Sequence, residues 1–184
     1  MKTNERELAS KISEWMNEII KRNNYPFTSS SNETGIKVGK STKFGDLIIW
    51  KNREANEAYS YIEIKPPFGA NENLVSFRQK AIELNVNFAF TWDFQNLHAY
   101  KVDKNNIELV GTDTESTLNK IDDWVRGDVQ AKIKAYIGKV FDELLSLNES
   151  GKLQKFYPDK IYFINFIRKA VQSIVPKYEK YLRD

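Results

Sequence analysis

Asp46, Glu63 and Lys65 are the residue types in this chain whose spacing could support hydrolysis of a phosphodiester. They sit in two segments, Phe44-Gly45-Asp46-Leu47-Ile48-Ile49-Trp50 and Tyr59-Ser60-Tyr61-Ile62-Glu63-Ile64-Lys65-Pro66-Pro67. Both segments are rich in Ile, Tyr and Trp, and the charged run from Lys51 to Glu57 between them suits a hairpin connection. Side chains alternate along a strand, so Tyr61, Glu63 and Lys65 share one face while Ile62 and Ile64 point into the opposite layer. If the start of the first strand pairs with the end of the second, Asp46 lands beside Glu63 and Lys65 at one rim of a sheet. Two carboxylates and an amine then converge. A hard divalent cation takes oxygen ligands of this kind, and when bound it activates water and offsets charge on a leaving oxygen. The ammonium can stabilise negative charge developing on phosphorus. The same three residues also suit a surface salt bridge on an edge strand, which contributes about 0–1 kcal/mol.

The order of elements around these residues gives the pattern its context. Upstream, Leu8, Ile12, Trp15, Met16, Ile19 and Ile20 recur at helical spacing and predict an amphipathic helix ending near Asn23-Asn24-Tyr25-Pro26. Asn4 and Glu7 have the spacing of an N-terminal capping pair. Downstream, Glu72 to Leu84 reads as a helix, Val86 to Trp92 as a buried strand, and Leu97–Val102 and Ile107–Val110 as further strands about the turn Asp103-Lys104-Asn105-Asn106. A helix leading into a strand after a hairpin predicts an α/β fold in which that strand joins the sheet by a crossover.

In this arrangement the chain resembles the PD-(D/E)XK nuclease superfamily, and within it the nuclease domain of type I restriction enzyme motor subunits. The family pattern is an acidic residue at a strand start followed by Glu-x-Lys on the next strand, inside an αβββαβ core. Asp46 matches the first position, Glu63-Ile64-Lys65 matches the second, and Gly45 stands where the family's proline would be. The resemblance covers roughly residues 1–112. It implies a restriction-endonuclease-like core, Mg²⁺ or Mn²⁺ as cofactor, and DNA as substrate. Asp46, Glu63 and the Ile64 carbonyl would hold the metal, with Lys65 as the catalytic lysine. It further implies that Gln79, on the helix after Glu-x-Lys, faces the site, and that Glu7 or Glu5 approaches the metal. An ordinary solvated residue is the alternative for Gln79, and capping is the alternative for Glu7. Lys40, Lys43 and Arg78 are candidate phosphate contacts.

Other patterns exclude chemistry. Thr34-Gly35-Ile36-Lys37-Val38-Gly39-Lys40-Ser41 is close to a phosphate-binding loop but has Thr34 for its first glycine and no buried strand before it, so an extended basic segment leading to Asp46 is expected instead. Pro158-Asp159 has no Glu-x-Lys after it and suits a helix start. With no cysteine and His98 as the only histidine, thiol nucleophiles, disulfides and Cys/His zinc sites are excluded. A Ser-His-Asp triad would need His98, which lies mid-strand with no nucleophile elbow anywhere in the chain. A net charge of +3 permits nucleic acid but does not argue for it, so local basic residues matter more than the total. No apolar run approaches the ~20 residues that cross a bilayer, and a cytoplasmic protein is expected.

From about Glu115 the strand signals vanish. Val129, Ile133, Ile137, Val140, Phe141, Leu144 and Leu145 form a helical stripe ending before Asn148, and a second helix is expected from Pro158 to Val175. Residues 113–184 therefore read as a helical extension that packs on the sheet or offers a docking face to further domains or subunits of a restriction complex. On that reading the chain is the front of a longer polypeptide. Two rival functions share these signals: a binding or scaffold module without turnover, and an RNA-processing nuclease.

Overall fold

A computed structural model describes residues 5–67, 74–161, 163, 164, 167, 168 and 171. The elements run α1 (Glu5–Arg22), β1 (Ser29–Val38), β2 (Ser41–Asn52), β3 (Glu57–Ile64), α2 (Leu74–Glu83), β4 (Phe88–Trp92), β5 (Leu97–Asp103), β6 (Asn106–Asp113), a 3₁₀ turn (Ile121–Val125), α3 (Gly127–Ser150) and β7 (Tyr157–Pro158). The seven strands form one mixed sheet in sequence order. All neighbours are antiparallel except β3 and β4, which are parallel and joined through α2. The fold is therefore α/β. The long connection through a helix is what a parallel pair requires.

Alternation along the strands makes a three-layer structure. Leu47 and Ile49 of β2, Ile62 and Ile64 of β3, and Phe90 and Trp92 of β4 face α1 and α3. Ile48 and Trp50, Tyr61, Ala89 and Tyr100 face α2, which contributes Phe77 and Ala81. β4 is buried along its whole length, as expected of a strand covered on both faces.

Several expectations change in the detail. The segment through Gly35 and Lys40 is a β-hairpin arm: β1 and β2 pair from Ser29↔Trp50 to Val38↔Ser41 around a turn at Gly39, whose φ is +58°. No helix follows that glycine, which excludes a phosphate-binding loop. α3 runs to Ser150, past the stop expected before Asn148, and ends where Gly151 takes the left-handed conformation with its N–H donated to the Leu147 carbonyl. Strand structure also returns after residue 115 as β7, which sequence periodicity cannot reveal in two residues. The buried Glu143 carboxylate fastens the loop before β7 by accepting the Gln154 and Lys155 N–H groups at 2.8 Å each. Pro158 closes that strand, and the following helix begins at Lys160, where the Asp159 side chain caps it by accepting the Ile161 N–H at 2.9 Å. Ile161, Phe163, Ile164, Ile167 and Val171 of that segment are exposed. Asn4, Glu72, Phe166, Ala170 and Ile174 lie outside the described residues.

α3 is part of the main core. Phe141 meets the rings of Tyr25 and Phe27 at 5.3 and 5.0 Å and is fully buried beside residues of α1 and the sheet. Phe141→Ala should therefore destabilise the whole unit by about 3–5 kcal/mol in a single cooperative urea transition. Two transitions, with only the second shifted, would contradict one shared core.

Candidate functional site

The site originates in a fork of the sheet. β2 and β3 pair as far as Leu47↔Ile62 and then part, β2 continuing with β1 and β3 continuing with β4 as far as Ile64↔Trp92. The next rung would have paired Asp46 with Glu63. In its place, Asp46 Oδ2 accepts the Ile64 N–H at 2.9 Å, satisfying a backbone donor that the parting strands would leave unmet. On its other side, β1 and β2 pair at Asn32↔Leu47 and Thr34↔Gly45, skipping Glu33 and Asp46, and Glu33 has a φ of +49°. Asp46 thus occupies a break in regular pairing on both flanks.

Gly45 is part of that break. A Cβ there would lie 2.9 Å from Ile36 Cδ1, 3.3 Å from Tyr61 Cε2 and 3.4 Å from Ile48 Cδ1, so a side chain at this position would push the end of Ile36 aside.

Glu63 is 7% exposed and both its oxygens are engaged. Oε1 takes the Lys65 ammonium at 2.9 Å, and Oε2 takes the Tyr61 hydroxyl and the Lys80 ammonium. Lys80 comes from α2 and is 4% exposed. Its Nζ also donates to the Phe44 carbonyl at 3.3 Å and lies 5.3 Å from the Tyr61 ring centre. An amine buried this deeply needs such partners, because an unpaired buried charge is strongly disfavoured.

Burial raises the Asp46 carboxyl to about 6, and the negative charge of Glu63 adds to that; the Ile64 N–H, Lys80 and Lys65 act in the opposite direction. Asp46 Oδ1 has no hydrogen-bond partner among the described residues. A divalent cation would suit this donor set, since it would neutralise two crowded carboxylates and supply the charge that Asp46 lacks. Among the described residues no group of three or more Asp, Glu or His side chains gathers around a cation position, so a bound ion would draw the rest of its shell from backbone oxygen, water and substrate.

The remaining candidates are placed as follows. Gln79 is exposed and its carboxamide accepts from Lys43 at 2.5 Å; the α2 side chain turned to Glu63 is its neighbour Lys80. Lys43 also donates to Ser76 at 3.5 Å, while Lys40 and Arg78 are exposed. Glu7 lines a groove of about 540 Å³ with Asp122 and Trp124 that includes neither Asp46 nor Glu63. The α1 residues beside Asp46 are instead Arg6 and Ala9, which with Glu33, Phe44, Asp46 and Ile64 line a cleft of about 210 Å³. The Glu5 side chain lies outside the described residues.

Sequence reasoning therefore missed Lys80, Glu33 and Arg6. Lys80 was detectable: it falls three residues after Phe77 and one before Ala81, in the apolar stripe of its helix, where a lysine demands an acidic partner. Glu33 and Arg6, joined at 3.0 Å, carried no such signal.

No protein-family model matches this chain, and no curated protein matches it.

The Asp46 carboxyl is held above its ordinary value of 3.8, so between about pH 4 and pH 6 the folded state keeps a proton that the unfolded state has released. Stability from this group is present below pH 4 and lost as pH rises through 6. Asp46→Asn should accordingly stabilise the fold by about 1–2 kcal/mol at pH 8, with the gain fading towards pH 4, as read from urea midpoints across that range. A gain that does not change with pH would contradict the assignment.

Proposed function

We propose that this chain is a metal-dependent nuclease of the restriction-endonuclease-like kind, cleaving DNA phosphodiesters at the fork. The observation that carries the reading is the convergence of Asp46 and Glu63 at the end of their shared ladder, with Lys65 at 2.9 Å from Glu63. The element order supports it: one helix, three antiparallel strands, a helix, and a strand parallel to the third. A role in restriction or defence, and a place within a larger enzyme, follow from the sequence resemblance alone.

Asp46, Glu63 and the Ile64 carbonyl would hold Mg²⁺ or Mn²⁺. When bound, such an ion lowers the pKa of a water and offsets charge on the transferring phosphoryl group. Asp46 must be deprotonated to serve as a ligand, so protons compete with the metal and binding weakens as the pH falls through the range in which the metal-free carboxyl titrates. Lys80 and Tyr61 fix the Glu63 carboxylate by charge and by hydrogen bond, leaving Lys65 as the partner nearest the rim. Lys65 would turn its ammonium to the attacking water or to the negative charge gathering on phosphorus, which is worth most in a site with little water. A cation arriving at Glu63 would compete with Lys65 for Oε1, so binding and release of the lysine are coupled.

A second reading, a nucleic-acid-binding module without turnover, is favoured by the same contacts: both Glu63 oxygens already have partners within the protein. The two are separated by incubating supercoiled plasmid and single-stranded DNA with Mg²⁺, Mn²⁺ or EDTA. The nuclease reading predicts metal-dependent cleavage by wild type, lost by at least about 100-fold in Lys65→Ala and Asp46→Asn. It also predicts a rate that rises with pH on the acid side and then levels, the acid limb moving to lower pH as the metal concentration is raised. Binding without metal-dependent product, unaltered by Lys65→Ala, would establish the silent module.

A further inference from the structure

The hairpin arm beside the fork carries a feature that the hydrolytic chemistry does not require. Phe44 is 64% exposed, yet it lines the same cleft as Asp46. Its partner across the arm is Gly35, which has no side chain to cover the ring. Beyond it the arm reaches Val38↔Ser41, with Lys37 and Lys40 exposed at and near its tip. An aromatic ring on a lysine-bearing ribbon next to a phosphate-cleaving pair is the composition of a single-strand binding track, where bases stack on rings and ammonium groups follow the backbone.

The dimensions agree. Two residues along a strand span about 6.5–7 Å, so a phosphate at Asp46 places the neighbouring nucleoside at Phe44. The cleft of about 210 Å³ is below the ~300–1,000 Å³ typical of pockets that enclose drug-sized ligands, and its exposed wall at Phe44 leaves a base outside it, on the ring. Its acidic wall is offset, because Glu33 is held by Arg6 at 3.0 Å. A base inside a duplex has both faces covered by its neighbours and must be unstacked before a protein ring can reach it.

We propose that the cleft takes an unpaired nucleotide of a DNA strand, its base stacked on Phe44, the phosphate on one side at Asp46 and the backbone on the other side, towards the tip of the arm, held by Lys37 and Lys40. The inference rests on the nuclease reading of Asp46 and Glu63 and names its substrate class: single-stranded DNA, or the frayed and gapped parts of duplexes.

The test is binding of a labelled single-stranded oligonucleotide and of a blunt hairpin of the same sequence, read by fluorescence anisotropy in Ca²⁺. A second series carries 2-aminopurine at successive positions. Wild type should prefer the single strand, and Phe44→Ala should weaken that binding roughly tenfold with little effect on the hairpin. Phe44→Trp should restore it. One 2-aminopurine position should change its emission with wild type and not with Phe44→Ala. Equal binding by Phe44→Ala and wild type, a preference for the hairpin, or binding of neither DNA would overturn the inference. Metal-dependent plasmid cleavage alongside any of these would leave the nuclease reading intact, and its absence alongside Phe44-dependent binding would remove the nuclease reading alone.

Discussion

The hydrogen bond from the Ile64 N–H to the Asp46 carboxylate holds together the arrangement on which the rest depends. A β-sheet that divides leaves backbone donors and acceptors without partners, and each one costs free energy if buried. Here a side chain fills the missing rung. Asp46 is thereby fixed at the mouth of the fork, opposite Glu63, in a place where burial and a like charge both disfavour its ionised form. Ionisation of this residue therefore works against the stability of the fold. The Ile64 N–H keeps the carboxylate in place against that penalty and favours its ionised form.

The second carboxylate is held by different means. Glu63 belongs to a regular strand, but it is enclosed by Tyr61 from its own strand, Lys65 beyond it and Lys80 from α2. Because Lys80 also reaches the Phe44 carbonyl, α2 is tied to both prongs of the fork. Lys43 makes a similar connection from the arm to Gln79 and Ser76. A change in the angle between the arm and α2 would therefore be felt at Glu63. This links the geometry of the arm, where nucleic acid would lie, to the charge at the carboxylate pair.

The sequence made the framework legible because its signals are strong and local. Ile62 and Ile64 alternate with Tyr61 and Glu63, the helix from Leu8 to Ile20 repeats at its proper period, and a run such as Phe88–Trp92 has few alternatives to a buried strand. The hairpin pairs β2 with β3 through two register shifts near its turn and stops at Leu47↔Ile62, one rung short of Asp46 and Glu63. What escaped depends on three-dimensional contact. The rotation of α2 decides whether Gln79 or Lys80 meets the sheet, and it turns Lys80 to Glu63 and Gln79 to Lys43. The rotation of α1 likewise brings Arg6, and not Glu7, to the cleft. β7 is two residues long and is fixed by the buried Glu143, which no periodicity describes.

The central claim is that Asp46 and Glu63 act as a pair that binds a divalent cation. Calorimetric titration of the protein with Mn²⁺ between pH 5 and pH 8, in two buffers of different ionisation enthalpy, tests it most directly. One site is predicted per chain, weakening below about pH 6 as Asp46 takes up its proton, with a fraction of a proton released on binding in that range, and with the site absent from Asp46→Asn. Mn²⁺ affinity that is constant across the pH range, or that survives in Asp46→Asn, would contradict it.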